Sequence, residues 1–440
     1  MKNLGKPLFL LWALAAVAQA PVPLSLKRAV EMALAPEGNT RLQLAEEAVR
    51  LAQAQAAQAR AALLPELEGT LGAQSRTTNL AAAGVQLNIP VPGFTFREFV
   101  GPFPVYDARL TVRQSLVDVS LLRRHQASRI GAAAAQSETE SVKDQTAALV
   151  ARLYLTALRA DAAAEAAQAN VTLAESLLRL AQDRAEAGKG TALEVTRAQV
   201  QLANERQRLL GADIERNRAR RALLRAMDMP LDLVVDLTDK LLYRPADPPS
   251  VAQALEIARQ SRADLRAQQQ REDSARWNRR AADSERLPTV TGFGDYGSLG
   301  IGFDRLLPTR TVGVAVRVPL FDAGREARRA ESLAVLRQEN IRRRELGEQI
   351  ELEVRQALDS LRVAEQQVQV AEDGLRLAEE ELAQARRRYE AGLTNSVEVT
   401  GAQTRLARAR DNHVAALFGF QGARIDLGEA MGTIRNLILE

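Results

Sequence analysis

The chain has 440 residues, of which only 4% are aromatic, and it holds no cysteine, so disulfides, thiolate metal sites and a lipid-modified N-terminal cysteine are excluded. The formal net charge is +4. Removing the first residues, with Lys2 and Lys6, leaves 57 basic residues against 55 acidic ones, a balance that argues against nucleic acid as a partner.

Lys2 and Lys6, the apolar run Leu8 to Val17 and the small-x-small site Ala16-Val17-Ala18 read as a signal peptide over residues 1–18. Cleavage after Ala20 is the alternative, disfavoured by Pro21. An uncleaved anchor is also compatible, although the run is shorter than the ~20 residues a span needs. No later segment is apolar enough to cross a membrane as a helix.

The rest of the chain is written twice. Glu186-Ala187-Gly188 through Ala198-Gln199 matches Glu390-Ala391-Gly392 through Ala402-Gln403 at an offset of 204, which persists from Leu116-Val117-Asp118 to Ala226-Met227. Upstream, Leu64-Pro65 matches Leu287-Pro288 at an offset of 223, so the first copy carries 19 extra residues, which a loop must absorb. Two copies of this length are a duplicated domain, over 24–230 and 250–432, with a linker at 231–249 and a tail at 433–440.

Each copy opens with an Ala-rich helical pattern, over about 24–63 and 250–286, ended by Pro65 and Pro288. Strand patterns follow. Leu67, Gly69, Leu71 and Ala73 alternate with polar residues, as do Tyr106, Ala108, Leu110 and Val112, and Val312, Val314, Val316 and Val318; the run from Thr289 to Tyr296 is the least regular. Between the first two runs lies the insertion from Ser75 to Val105, whose four prolines predict irregular structure. This alternation fits a lipid-facing barrel strand with a wet interior, and equally a soluble sheet with one buried face. The count separates them: four strands cannot close a barrel, and pooling strands between copies solves that. On the polar side Asp107, Arg109, Arg113 and Arg317 are candidates to line the lumen, with Arg113 and Arg317 able to pair with acids such as Asp107.

A very long helix follows in each copy. Val354, Leu361, Val368, Leu375 and Leu382 repeat every seven residues, with Ala357 to Ala385 three positions on; Val150, Ala157, Ala164, Val171 and Leu178 repeat the register in the first copy. A strict seven-residue period predicts a left-handed coiled coil. About 68 residues from Ser120 to Ala187 would reach roughly 100 Å. Gly188 and Gly392 end these helices, Thr191 and Asn395 cap the helices that return, and Glu194 and Glu398 stand at capping-box spacing. Val195, Leu202 and Leu209 match Val399, Leu406 and His413, so each arm is a helical hairpin. With His125 the only other histidine, a packed His413 is expected rather than a metal ligand. No phosphate loop, nucleophile elbow or Ser/His/Asp set is present, so the sequence offers no catalytic residue, metal site or cofactor.

The order of these parts, with Pro319-Leu320-Phe321-Asp322-Ala323-Gly324 after the last strand and Tyr389-Glu390-Ala391-Gly392, Val399, Ala402, Gln403 and Leu406 at the second tip, resembles the TolC-like outer-membrane efflux protein family. The resemblance covers essentially the whole mature chain. It implies a mainly α fold with a small transmembrane β part: a homotrimer whose helical hairpins form a tapering α-barrel in the periplasm, capped by a twelve-stranded β-barrel pooled from three chains. It implies outer-membrane lipid, a periplasmic adaptor protein and an inner-membrane pump as partners. Gly188, Lys189, Thr191, Gly392, Leu393 and Asn395 would be the tip residues that meet the adaptor. In that family an acid at the first tip bonds a tyrosine and an arginine at the second and holds the entrance shut. Glu194 matches the acid and Tyr389 the tyrosine, whereas Thr394 stands where the arginine would be. Glu398 matches the first of two pore-facing acids, and Gly401 replaces the second. The bland readings stay beside these: Glu194 and Glu398 as capping acids, Tyr389 as cover for the seam. A periplasmic adaptor with helical hairpins is the competing class, disfavoured because each hairpin here follows a strand pair. Type I protein secretion rather than small-molecule efflux is the second alternative.

Overall fold

The computed structural model describes residues 22–35, 39–82, 84, 99–245 and 247–439. The expected signal peptide and the middle of the insertion lie outside them. The chain divides into two compact units, the first made of 22–44, 140–262 and 348–439, the second of 45–139 and 263–347.

The second unit holds a four-stranded antiparallel sheet of β2 (Glu66–Asn79), β3 (Phe99–Val117), β5 (Thr289–Gly300) and β6 (Leu306–Arg317), in the order β2-β3-β5-β6. The two copies therefore meet at the centre of the sheet, and β2 and β6 are left as its edges. β2 and β3 run well into the segment expected to be irregular, and β3 includes Pro102 and Pro104. Pairing of β3 to β5 begins only at Tyr106, so these prolines sit where β3 has a partner on one side alone and a missing N–H is tolerated.

Register sorts the side chains. Leu67, Val112 and Val312 fall in one cross-strand row, and Leu71, Leu110, Tyr296, Val314 and Val316 share their face, all of them more than two-fifths exposed. Arg310 is the one charged residue among them, and Ser75, Gln114 and Ser298 are polar on the same face. The opposite face is mostly polar, with Glu68, Thr70, Asp107, Arg109, Thr111, Arg113, Asp295, Thr309, Thr311 and Arg317, and also carries Phe293, Leu299 and Leu307. Beside the sheet, helix α6 (Ala263–Ser284) packs along the starts of the two long helices, α3 (Val119–Glu186) and α7 (Ala323–Glu390). Gln268 Nε2 donates to Glu339 Oε2 at 2.7 Å, and Arg343 pairs with the buried Glu272 at 2.6 Å.

The first unit contains the C-terminal parts of α3 and α7 with the returning helices α4 (Ala192–Ala226) and α8 (Ser396–Ala430). The predicted seam is visible in burial: Val354, Ala357, Leu361, Ala364, Val368, Ala378 and Ala385 are buried along α7, as are Ala157, Ala164, Val171, Ala174 and Ala181 along α3. The helix expected over 24–63 is broken into α1 (Leu26–Leu34) and α2 (Thr40–Ala61), and Ala35, which precedes a proline in the sequence, is extended at the end of α1. Its counterpart breaks between α5 (Val251–Ser261) and α6 at Arg262, whose backbone turns extended while its guanidinium bonds Glu353 and Ala430 O.

Two expectations are corrected here. The segment 231–249 is no bare linker: β4 (Val235–Leu237) pairs in parallel with β1 (Val22–Leu24), and Asp239 accepts from Leu26 N at 2.7 Å. Tyr154 Oη lies 2.8 Å from both Leu24 O and Asp239 Oδ2, and burial, reinforced by Asp239, pushes its pKa up. Nor is 433–440 a loose tail. Helix α9 (Ile434–Leu439) buries Ile434 and Ile438 in a core with Val30, Val150, Tyr154, Leu223 and Leu224, and Arg435 reaches Glu140 at 2.9 Å and Asp144 at 2.6 Å.

Candidate functional site: the hairpin tips

Both long helices end in the same way. Gly188 and Gly392 have φ of +69° and +73°, a left-handed conformation that glycine adopts without a Cβ penalty. Lys189 N donates to Arg184 O at 2.8 Å and Gly188 N to Ala185 O at 3.0 Å; Leu393 N and Gly392 N repeat this to Arg388 O and Tyr389 O at 2.9 and 3.0 Å. These are paired Schellman turns. Thr191 then caps α4 by accepting from Glu194 N at 3.3 Å, and Asn395 caps α8 by accepting from Val397 N at 3.0 Å. Gly188, Lys189, Thr191, Gly392, Leu393 and Asn395 are all exposed.

The carboxylates depart from the capping-box expectation. Glu398 accepts from Arg388 at 3.1 Å and from Thr394 Oγ1, inside its own hairpin. Glu194 instead accepts from Tyr389 Oη at 3.3 Å, across to the other hairpin. Spacing alone could not tell these uses apart, since a glutamate at that position reaches either its own cap or a neighbouring helix.

Tyr389 is buried in the seam with Ala385, Val399 and Ala402, flanked by Leu177, Leu180 and Leu382. Its ring carries the guanidinium of Arg184 at 4.4 Å. Arg184 Nη1 also donates to Tyr389 O and, at 3.4 Å, to Glu390 O, and Nη2 donates to Lys189 O at 3.3 Å. Burial, reinforced by Glu194 and opposed by Arg184, raises the Tyr389 pKa, so its hydroxyl stays a donor. Tyr389 is thus gripped from both sides by the first hairpin. Arg184 was missed in the sequence although the repeat marks it: the offset of 204 places it opposite Arg388, and Ala185 opposite Tyr389. Thr394, where the family pattern has an arginine, bonds only within its own tip, and the arginine on Tyr389 comes from the first hairpin.

On the sheet, Arg109 rather than Arg113 or Arg317 makes the ion pairs, with Asp107 at 3.4 Å and with Asp295, and it donates to Thr309 Oγ1 at 3.2 Å. Register puts Gly297 between Arg109 and Thr309, and a Cβ there would lie 2.4 Å from Ala108 O. The glycine lets the guanidinium cross to β6. All four polar candidates share one face, with Arg113 and Arg317 exposed.

Residues 32–228 and 254–433 match the family model described as outer membrane efflux protein. The chain belongs to that family. Outer membrane efflux proteins act as export channels in the outer membrane with a helical tunnel in the periplasm, and the periplasmic-adaptor alternative falls away. No curated protein sequence matches the chain. Among solved structures, the fold is similar to the outer-membrane channel OprN (20% identity, 92% of this chain and 89% of that one, TM-score 0.79). It is similar to VceC of Vibrio cholerae (20%, 92% and 96%, TM-score 0.77) and to MtrE of Neisseria gonorrhoeae, solved in an open state (18%, 93% and 89%, TM-score 0.77). No helix among the described residues of this efflux protein is long and apolar enough to cross a membrane.

Proposed function

We propose that three copies of this outer membrane efflux protein pool their sheets into one twelve-stranded barrel and their hairpins into one tunnel. The observation that carries this is the sheet itself: two open edges, one exposed apolar face and one polar face. Unpaired strand edges are intolerable in lipid, and closure by neighbouring copies removes them. The apolar face then meets lipid, and Asp107, Arg109, Arg113 and Arg317 face the lumen. The tips form the periplasmic entrance, where exposed Lys189 and Leu393 meet an adaptor protein that couples the channel to an inner-membrane pump. Contact between Glu194, Arg184 and Tyr389 holds that entrance closed; the open state of MtrE supports an entrance that moves. Native mass spectrometry in detergent tests the assembly. A trimer is expected, and a stable monomer would overturn the pooled barrel.

A further inference from the structure

Helices α2, α3, α6 and α7 stand side by side next to the sheet. Thr139 Oγ1 donates to Ala45 O at 3.2 Å, Ser274 Oγ to Ala127 O at 2.9 Å, and Gln268 bonds Glu339. An open groove of about 410 Å³ is lined from all four helices, among others by Ala48, Gly131, Ser274, Asn278 and Val335, and so marks the concave side of the row. At about 100° per residue, Arg280 of α6 and Leu122 of α3 point nearly opposite to the lining residues of their helices, on the convex side. Trp277 lies on the α6 face that turns to α3, between Ser274 and Ser284, which both bond that helix. The Arg280 guanidinium stacks over the Trp277 ring at 4.8 Å, and Arg123 of α3 donates to Arg280 O at 2.9 Å and to Ser284 Oγ. Arg123 and Arg280 each stand four residues, about 6 Å, from the sheet end of their helices.

These two arginines lack an acid. The segments 116–130 and 276–290, which flank the central strands β3 and β5, hold seven arginines, no lysine and three acids. All three acids are engaged elsewhere: Asp118 accepts from Ser120 N and Leu121 N, Asp283 pairs with Arg279 and Arg329, and Glu285 with Arg124 and Arg328. Arg276 takes Glu272 and Asp273. Among the described residues no acid reaches Arg123 or Arg280, and they gather beside the one tryptophan outside the expected signal peptide. Leu116, Val117 and Leu122, each about half exposed, lie at the same level.

We infer that this crevice between α3 and α6 binds the phosphate of an anionic phospholipid in the leaflet that faces the periplasm. The apolar face of the sheet runs down to Leu116 and Val117, and the free arginines follow where headgroups begin. Apolar, aromatic and then basic side chains in that order make an interfacial anchor, and an anionic leaflet attracts the basic ones. A guanidinium offers phosphate two parallel N–H donors, which suits a patch built from arginine without lysine. Because α3 and α6 adjoin the central strands, closure at the β2 and β6 edges leaves the crevice open to lipid.

This inference rests on the apolar sheet face meeting lipid, as proposed above, and the test separates the two. Full-length protein is reconstituted into vesicles of phosphatidylethanolamine and phosphatidylglycerol in equal parts, floated, and extracted in mild detergent. Native mass spectrometry then reads the lipid it retains. Retention of phosphatidylglycerol over phosphatidylethanolamine is expected. Arg280→Gln, a change at an exposed side chain, should lower that preference about fivefold, and adding Arg123→Gln about fivefold again. Arg276→Gln removes the same charge from an acid-paired arginine and should leave the preference unchanged. Equal retention of the two lipids, an undiminished preference in the double variant, or the same loss in Arg276→Gln would overturn the site. A preference that moves to the phosphates of added lipid A would overturn it too, by placing the crevice at the wrong leaflet. Protein that never floats with the vesicles would overturn the reading of the sheet itself.

Discussion

Replacing Arg184 with alanine tests the tip contact most directly. The variant loses a charged hydrogen bond to Tyr389 O, worth about 1.5–3 kcal/mol, and a cation–π contact at 4.4 Å, worth about 0.5–1 kcal/mol. By comparison, Tyr389→Phe loses only the 3.3 Å bond to the Glu194 carboxylate, about 1.5 kcal/mol at that length, and keeps the ring under Arg184. A loss of ~2 kcal/mol shifts a closed-to-open ratio roughly 30-fold. Reconstituted Arg184→Ala is therefore expected to conduct more in planar bilayers than Tyr389→Phe, with an unchanged circular dichroism spectrum because the tip is remote from the core around Tyr154. Arg184→Lys should fall between, keeping the charge but not the flat stacking plane. Combining Arg184→Ala with Tyr389→Leu should give less than the sum of the two effects. Wild-type conductance in Arg184→Ala, or strict additivity, would reduce Arg184 to a local cap on the Lys189 carbonyl and refute the reasoning.

Glu398→Gln should weaken the cation preference of the channel and Arg388→Gln strengthen it, since the two side chains are paired at 3.1 Å; bilayer reversal potentials under a salt gradient read both. Gly392→Val has space around it but a φ of +73°, so the strain should be about 1–2 kcal/mol, leaving the melting temperature nearly unchanged while abolishing export in a drug- or dye-accumulation assay. Burial pushes Glu140's carboxyl up, yet Lys143 and Arg435 outweigh it and hold it below the ordinary value of about 4.5. Its stabilising effect is therefore full above that value and lost as pH falls through the lower folded one, and hydrogen exchange in α9 should accelerate in that window in the parent protein but not in Arg435→Gln.

Much of this architecture was legible because the sequence repeats its instructions. The heptads of α7 were legible since Val354, Ala357, Leu361, Ala364, Val368, Ala378 and Ala385 are buried on that period, with Ala371, Leu375 and Leu382 half-buried. Gly188 and Gly392 were readable since a helix end in the left-handed region leaves glycine few substitutes. The pairing of β1 with β4 was not, because three-residue strands are too short to show alternation. Pro102 and Pro104 misled, since a proline's veto on a strand lapses where one edge is open. Arg184 escaped because its partners lie some 200 residues away, and nothing in its neighbourhood distinguishes a surface arginine from one that reaches across.

The duplicated tips share their backbone turn and differ in their side chains, with Tyr389 opposite Ala185 and Thr394 opposite Gly190. Arg388 folds back on Glu398 within its own hairpin, so the second tip is self-contained. At the matching place the first tip has Ala185 beside Arg184, no tyrosine to hold, and both Arg184 and Glu194 turn outward to Tyr389. One hairpin is a bolt and the other its keeper. The bolt keeps its internal bonds without the keeper, whereas the keeper without the bolt has Glu194 stripped of Tyr389 and Arg184 held only by Lys189 O. In the trimer proposed above, an entrance built this way would swing on one hairpin of each pair, and a ring of six similar hairpins would work as a threefold mechanism.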